Sequence, residues 1–481
     1  MLHKFSTFII TLLLLFTASK ADASHLSAAE FTFQHVSGND YVVSLYVYRD
    51  CNGIGVPNNI SVMMESINCN VNNTIILNQT SGPTLVTTIP GAQTSCMGGM
   101  VQGYEEYVYS DTITFPNQCT DWVFSWSSCC RNAAITNLTN PGAASMYIES
   151  TFNNTVVNNS PVYFIDPIFY GSMGANFSVA LGGFDPDGDQ LVFSLAAPLS
   201  NATTTVPFMA GLTTAQPLDI LPGTAVSFSG TTGQFDCVLN TGSQIVVFDV
   251  IVEEWRAGQK IGEHRRSLQI LPINVGSGNM LPPPAISNAS GGTIINANTL
   301  EYASSTQPFS FSMSFADQDA GDAITYNSAY SSLETAFPNA QITSSNPNGN
   351  TNELELNITL PTPSATIFSI VIEENNLLQQ SFSYELRGAT TTGVNTIEEQ
   401  AAVRVYPNPM GQTTIFEVLS KDYKKLHLSI FDMAGQLVHS QTQEGGKQQL
   451  QFDRKNLPAG VYTFKLEGDT QIVNAGLLQL K

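Results

Sequence analysis

The sequence predicts an all-β protein built of tandem β-sandwich domains behind a cleaved signal peptide. Three observations carry this. Charged residues are only 12% of the 481, hydrophobic residues are 42%, and the polar remainder is rich in Asn, Thr, Ser and Gly. That composition suits turn-rich sheets rather than long surface helices, which need Glu, Lys and Arg. Short runs of alternating apolar and polar residues, bounded by Gly, Asn, Asp and Pro, recur along the chain, as strands require. Two long stretches also repeat one another, the mark of tandem domains. The chain is too long for one core. It divides into a signal peptide (1–23), a Cys-rich β domain (24–155), two sandwiches (156–277 and 285–388) and a C-terminal unit (401–481).

The N-terminus has the three parts of a secretory signal: Lys4, the apolar run FIITLLLLFTA (Phe8 to Ala18), and the A-x-A site Ala21-Asp22-Ala23. The run is short for a bilayer span and a cleavage site follows it, so the mature chain is expected to begin at Ser24 without an integral membrane segment.

In the Cys-rich segment, EFTFQHV (Glu30 to Val36) and YVVSLYVYRD (Tyr41 to Asp50) flank SGND, a hairpin signal. Val43, Leu45 and Val47 share a face. Trp122, Phe124 and Trp126 also share one. They offer either a carbohydrate platform or core, and strand spacing favours core. Six of the seven cysteines lie here: Cys51, Cys69, Cys96, Cys119, Cys129 and Cys130. They point to an oxidising compartment, and the sequence leaves their pairing open. Cys129 and Cys130 read as neighbours on a strand, so they are expected to face opposite ways and pair with different partners. Cys237 is left over, read as a buried thiol.

The two sandwiches read as copies. FDPDGDQLVFSL (Phe184 to Leu195) and FADQDAGDAITYNS (Phe315 to Ser328) each lead from an acidic turn into a strand. FDVIVEEWRAGQKIGEHRRSLQI (Phe248 to Ile270) and FSIVIEENNLLQQSFSYEL (Phe368 to Leu386) are each an apolar strand, a Glu pair, a polar turn and a return strand. NVGSGNMLPPPA (Asn274 to Ala285) separates them, an extended spacer by its prolines. GATTTGVNTIEEQ (Gly388 to Gln400) links them to the C-terminal unit.

The last segment is a small sandwich of its own, opening VRVYPNP (Val403 to Pro409). Neither Pro407 nor Pro409 can donate to a ladder, so they end its first strand around Asn408. Gly435, in DMAGQLV, stands where a hairpin wants positive φ. Tyr406-Pro407-Asn408-Pro409, then the D-x-x-G turn with Gly435, then LPAGVYTFKL with Leu457, Gly460 and Tyr462 follow in order. This arrangement resembles the C-terminal sorting domain of the type IX secretion system of Bacteroidetes. The resemblance covers roughly the last eighty residues. It implies export through the outer membrane and recognition by the type IX translocon and its sorting machinery. Family members often finish with a Lys-rich strand, whereas this chain finishes NAGLLQLK, with only Lys481 basic. The body, through YVVSLYVYRDCNG, SSCCRNAAITN and SPVYFIDPIFY with FDPDGDQLVFSL, resembles gliding-associated or adhesin-like ectodomains of the same bacteria. Its middle segments are similar to cadherin-like or other immunoglobulin-like repeats. This implies surface or extracellular placement and suggests adhesion.

The net charge is −21. Residues 401–481 hold 9 basic and 7 acidic side chains, and the first 400 hold 9 and 32. Such a body repels nucleic acid and anionic lipid and offers carboxylates to cations. Solubility outside the cell is the plainer account.

Asp185, Asp187 and Asp189 in DPDGD can converge on calcium, completed by Glu253 or Glu254; a plain Asp/Pro/Gly turn is the other reading. In the second copy Asp317, Asp319 and Asp322 have disturbed spacing, which favours the plain turn. Glu253-Glu254 and Glu373-Glu374 alternate across a strand, so neither pair can act as two facing acid/base carboxylates. They read as solvated strand-end charges. His264-Arg265-Arg266 is the one basic cluster of the body and is expected to pair with nearby Glu. The sequence holds no zinc, phosphate-loop, dinucleotide or nucleophile-elbow motif. The reading that results is an exported, non-catalytic surface or secreted protein, for adhesion or for binding a surface polysaccharide or protein. The alternative is a secreted polysaccharide-acting hydrolase.

Overall fold

Alternation along the first strands decides which side chains turn inward. β1 (Leu26–Ser37) and β2 (Asp40–Asp50) form the expected hairpin across Gly38 and Asn39. Val43, Leu45 and Val47 enter one core with Phe31 and Phe33, leaving Glu30, Thr32, Ser44, Tyr46 and Tyr48 for the opposite face. The computed structural model describes residues 25–86, 94–274, 281, 283–317, 323–374, 378–389, 403–418, 423–432, 436–444, 449–468 and 471–481. These fall in two units, dividing at Ala389 and Thr390. Among the described residues the one α-helix is Leu333–Ala336, and no helix is long and apolar enough to cross a membrane.

The first unit continues with β3 (Asn59–Ser66), β4 (Val71–Leu85), β5 (Tyr104–Thr114), β6 (Trp122–Ser128) and β7 (Met146–Phe152). β8 (Ile168–Ser172), β9 (Asn176–Ala180), β10 (Gln190–Ala196), β11 (Leu199–Asn201), β12 (Thr204–Thr205), β13 (Ser227–Phe228), β14 (Gln234–Val238), β15 (Val246–Arg256) and β16 (Gln259–Ile273) come next. The strands pair in the order β1-β2-β5-β4-β3-β6-β7, and β16 pairs with both β7 and β1, closing the ring. Trp122, Phe124 and Trp126 fill its core beside Phe115 and Phe152, so the aromatic stripe is core. Each such ring contributes roughly 1.5–3 kcal/mol by leaving water. The boundary drawn at residue 155 therefore falls inside one continuous 13-stranded sheet.

β16 is shared. It also pairs in parallel with β8 and antiparallel with β15, which pairs with β10. Facing this is the sheet β13-β14-β9. The second copy repeats the plan with β17 (Ala285–Ser290), β18 (Gly292–Asn296), β19 (Thr299–Tyr302), β20 (Phe309–Ala316), β21 (Ile324–Tyr326), β22 (Gln341–Ser345), β23 (Glu353–Leu360), β24 (Thr366–Glu374) and β25 (Leu378–Gly388). There β19 lies parallel to β25, β25 pairs with β24 and β24 with β21, opposite β20-β23-β22. The internal repeat read from the sequence is thus a repeat of topology. The copies also touch. Ser381 Oγ accepts from the Ala180 N–H at 2.7 Å, and Gln234 Oε1 accepts from the Ser383 N–H at 2.8 Å.

The second unit is a two-sheet sandwich. β26 (Val403–Tyr406), β27 (Thr413–Val418) and β30 (Gln449–Asp453) form one sheet. β28 (Lys425–Phe431), β29 (Leu437–Glu444), β31 (Gly460–Gly468) and β32 (Gln471–Leu480) form the other. Phe416, Leu428, Ile430, Phe452, Phe464 and Leu478 pack between them.

Candidate functional site

The DPDGD turn leads into β10. Asp185 is only 4% exposed, and its Oδ1 accepts the N–H groups of Asp187 and Asp189, both at 2.9 Å. Gly188 holds φ +79°, where a side chain would be strained. Oxygens of Asp185, Asp187 and Asp189 lie within 4.8 Å of one another, so the spacing does bring the three together. A protein cation already serves part of the cluster. Arg256, at the end of β15, donates to Asp189 from Nε and Nη2, each at 2.6 Å. Its other donors reach the Val157 carbonyl and Asn158 Oδ1. Asp187 accepts from the backbone and side-chain N–H groups of Asn159. Asp185 Oδ2 and Glu254 Oε1 are buried with no hydrogen-bond donor among the described residues. Burial first, and then the Glu254 carboxyl beside it, pushes Asp185 up to about 8. The donor set fits a hard cation at Asp185 and Glu254. It does not fit one at Asp189, whose two oxygens are both held by Arg256. Asp317 is buried, while Asp319 and Asp322 lie outside the described residues.

Glu253 and Glu254 do point to opposite faces. Glu253 accepts from Trp255 Nε1 at 3.0 Å and Lys260 Nζ at 3.2 Å. Glu254 corrects the expectation of a solvated charge, since it is 0% exposed. Its Oε2 lies 2.6 Å from His264 Nε2, and His264 Nδ1 lies 2.6 Å from Ser150 Oγ. Gly262 makes room, because a Cβ there would overlap the Glu254 carboxylate. The Ser-His-Glu chain has the atoms of a charge relay, but all three residues are buried, and it ties β7 to β15 and β16. The rest of the basic cluster is also paired. Arg265 Nη1 donates to Asp249 at 2.8 Å, and Arg266 Nε to Glu30 at 2.5 Å.

Glu30 of that last pair lines a cleft of about 370 Å³ that sequence reasoning missed. Its floor is the outer face of β1, β2 and β5, where register sets Glu30 opposite Tyr46 and Tyr48 opposite Glu106. Residues 159–166 cross over it, bringing Tyr163 and Asp166. The Tyr48 hydroxyl donates to Glu106 at 2.9 Å and reaches Asp166 at 3.4 Å. Burial, reinforced by Glu106 and Glu30, pushes Asp166 up to about 7, and burial raises Glu106 as well. Perturbed carboxyl groups in a cleft mark a functional-site candidate.

The cysteines pair as Cys51–Cys96, Cys69–Cys119 and Cys129–Cys130. The last bond corrects the expectation of different partners. β6 ends at Ser128, so alternation along a strand does not govern the next two residues. Cys237 is buried and unpaired, and burial pushes its thiol up to about 12, far from reactivity.

In the second unit Asn408 is a clasp. Its Nδ2 donates to the Leu477 carbonyl and its Oδ1 accepts from the Gln479 N–H, both at 2.9 Å. The Pro407 carbonyl accepts from Thr414 Oγ1 at 2.9 Å. Pro409 follows the clasp, and Tyr406 is exposed. The Leu457 carbonyl accepts from Arg454 Nε at 2.7 Å, and Tyr462 Oη donates to the Pro458 carbonyl at 3.0 Å. Gly460 opens β31. Gly435 lies outside the described residues.

Residues 404–477 match the family model of the secretion system C-terminal sorting domain. The chain is therefore a type IX secretion cargo, bound for the cell surface or the exterior and recognised by that system's machinery. No curated protein matches the chain. Among solved structures it is similar to dimeric latent PorU from Porphyromonas gingivalis, at 13% identity and TM-score 0.16, over 65% of this chain and 32% of that one. It is similar to the BSP domain of a biofilm associated protein at 9% identity and TM-score 0.15, over 96% and 97% of the two chains. A third likeness is to surface layer protein SbsC, domains 4–9, at 9% identity and TM-score 0.14, over 70% and 42%. At these values the likenesses carry no functional argument, and the chain spans about a third of the first protein's length.

Proposed function

We propose that this is an exported, non-catalytic β-sandwich protein that acts in adhesion or ligand binding at the surface or in the secreted fraction. One observation carries the reading: a separate C-terminal unit with the sorting-domain match stands behind a passenger of repeated sandwiches. Export starts with residues 1–23, read as a cleaved signal peptide. In each copy the strands fall in chain order into C-F-G and B-E-D sheets, β10-β15-β16 with β9-β14-β13 and β21-β24-β25 with β20-β23-β22. That is the order of an immunoglobulin-type sandwich and supports the cadherin-like or immunoglobulin-like reading. Calcium belongs to the proposal in a restricted form. It would draw on Asp185 Oδ2 and Glu254 Oε1 and compete with Arg256 for the rest of the cluster.

The hydrolase reading is kept for one observation, the two raised carboxyl groups, Glu106 and Asp166, in one cleft. Mature protein incubated with insoluble polysaccharides and cell-surface material, with calcium or chelator, separates the two. Retention without soluble product supports binding. Product release overturns it.

A further inference from the structure

We propose that the tyrosine–carboxylate cleft is a receptor for a basic side chain, lysine or arginine, presented by a partner polypeptide. This specifies a ligand chemistry for the binding reading, on which it rests, and is independent of the export route.

Charge is the first ground. Glu30, Glu106 and Asp166 line one cavity of about 370 Å³. Arg266 is the guanidinium beside them, and it is fully engaged. Its Nε donates to Glu30, its Nη1 to the Leu181 carbonyl at 2.8 Å and its Nη2 to the Ile165 carbonyl at 3.4 Å. Among the described residues Glu106 and Asp166 are left with one neutral donor between them, the Tyr48 hydroxyl. Two carboxyl groups drawn partly out of water against a single neutral hydroxyl, with Arg266 acting on Asp166 only from a distance, are short of counter-charge. Burial first, and for Asp166 the neighbouring Glu106 and Glu30 as well, holds both carboxyl groups above their ordinary values.

The same wall also holds a precedent. Arg266 lies 3.6 Å from the centroid of the Tyr163 ring while bonded to Glu30. A guanidinium between a tyrosine face and a carboxylate is thus an arrangement this fold already stabilises. On the open side, the partly buried Tyr46 with Glu106 and Asp166 offers the same elements without an occupant among the described residues, the buried Tyr48 adding its hydroxyl. Tyr163 adds a hydroxyl that is buried without a hydrogen-bond partner. A metal ion is the weaker occupant. Among the described residues the only group of three or more potential ligands close enough together for one is the Asp185 turn. A long basic side chain needs no such convergence, since its stem can lie on the Tyr46 face. The acidic body favours the approach of a basic partner.

The titratable and charged groups facing the cleft or packed behind it are Glu30, Glu106, Asp166, Tyr46, Tyr48, Tyr163 and Arg266, with Asp185 and Glu254 behind Tyr163. Of those lining the cleft, Asp166, raised to about 7, changes charge between mild acid and neutrality, and lysine and arginine do not. Affinity is therefore expected to rise with pH.

The test uses the mature full-length protein titrated with Gly-Arg-Gly and Gly-Lys-Gly, with Gly-Gln-Gly as the uncharged control, followed by NMR line broadening of the peptide. The charged peptides are expected to bind at least about tenfold more tightly than the control at pH 8. They should weaken about tenfold or more at pH 5. The pair Glu106→Gln and Asp166→Asn is expected to abolish the preference. Both changes remove a desolvated charge, so this variant should fold at least as well as the parent, which its melting temperature checks. Equal binding of all three peptides, or none at millimolar peptide, overturns the proposal, as does a preference that survives in the double variant. Retention on polysaccharide in the pull-down, without any peptide preference at the cleft, would keep the binding reading and sink only this one.

Discussion

Replacing Asp185 with Asn should stabilise the first unit at alkaline pH. Burial and Glu254 push the Asp185 carboxyl from 3.8 up to about 8. A carboxyl raised by folding holds its proton more tightly in the native state. Its contribution is therefore complete below about 3.8 and is lost as pH rises towards 8. Each pH unit in that window costs about 1.4 kcal/mol. Between pH 5 and pH 8.5 this amounts to roughly 4 kcal/mol at most, and to about 2–3 kcal/mol once local relaxation and water entry are allowed for. Asn keeps the oxygen that accepts from Asp187 and Asp189 and puts an N–H₂ group where Asp185 Oδ2 faces Glu254. The turn should survive, with the Glu254 oxygen gaining a donor. The assay is urea unfolding followed by tryptophan fluorescence, since all three tryptophans, Trp122, Trp126 and Trp255, lie in the first unit. Asp166 titrates alike in both proteins, so the difference between them isolates Asp185. The variant should match the parent near pH 5 and exceed it by about 2–3 kcal/mol at pH 8.5. Saturating calcium should stabilise only the parent if the ion takes Asp185 and Glu254. A variant less stable throughout, or a difference independent of pH, would refute the account of the buried pair.

Gly262→Ala should cost about 3 kcal/mol or more, because its Cβ overlaps the Glu254 carboxylate and opens a buried charge pair; thermal unfolding checks it. Asn408→Ala should destabilise the second unit by about 1–2 kcal/mol through loss of two hydrogen bonds to β32, seen as faster proteolysis of that unit alone. Arg256→Ala should destabilise the first unit by about 3 kcal/mol by leaving Asp189 buried without its partner. If calcium can replace the guanidinium, adding it should restore the melting temperature of that variant.

What the sequence could show depended on distance along the chain. The β1–β2 hairpin, the Trp122 stripe and the opposite facing of Glu253 and Glu254 follow from residues next to one another, and alternation exposes them. The pairing of His264 with the nearby Glu254 follows the expected pattern, while Arg265 takes Asp249 and Arg266 the distant Glu30. The burial of Glu254 was not, because it depends on Ser150 in β7 and on the missing Cβ of Gly262. The Cys129–Cys130 bond was misread because the strand ends at Ser128, before either cysteine. The cleft was invisible for a similar reason. Glu30, Glu106 and Asp166 come from three separate stretches, and only the register of β1, β2 and β5 with the crossing segment brings them together. A lone Glu on a strand reads as surface until its neighbours are known.

Export through the C-terminal unit is the central claim, and truncation tests it most directly. The full chain and a form ending at residue 400 would be expressed in a type IX-competent host and fractionated into periplasm, surface and medium. The account predicts that the truncated passenger stays folded, with its disulfides formed, and accumulates in the periplasm while the full chain reaches the surface or the medium. Arrival of the truncated form outside the cell in normal amounts would contradict it.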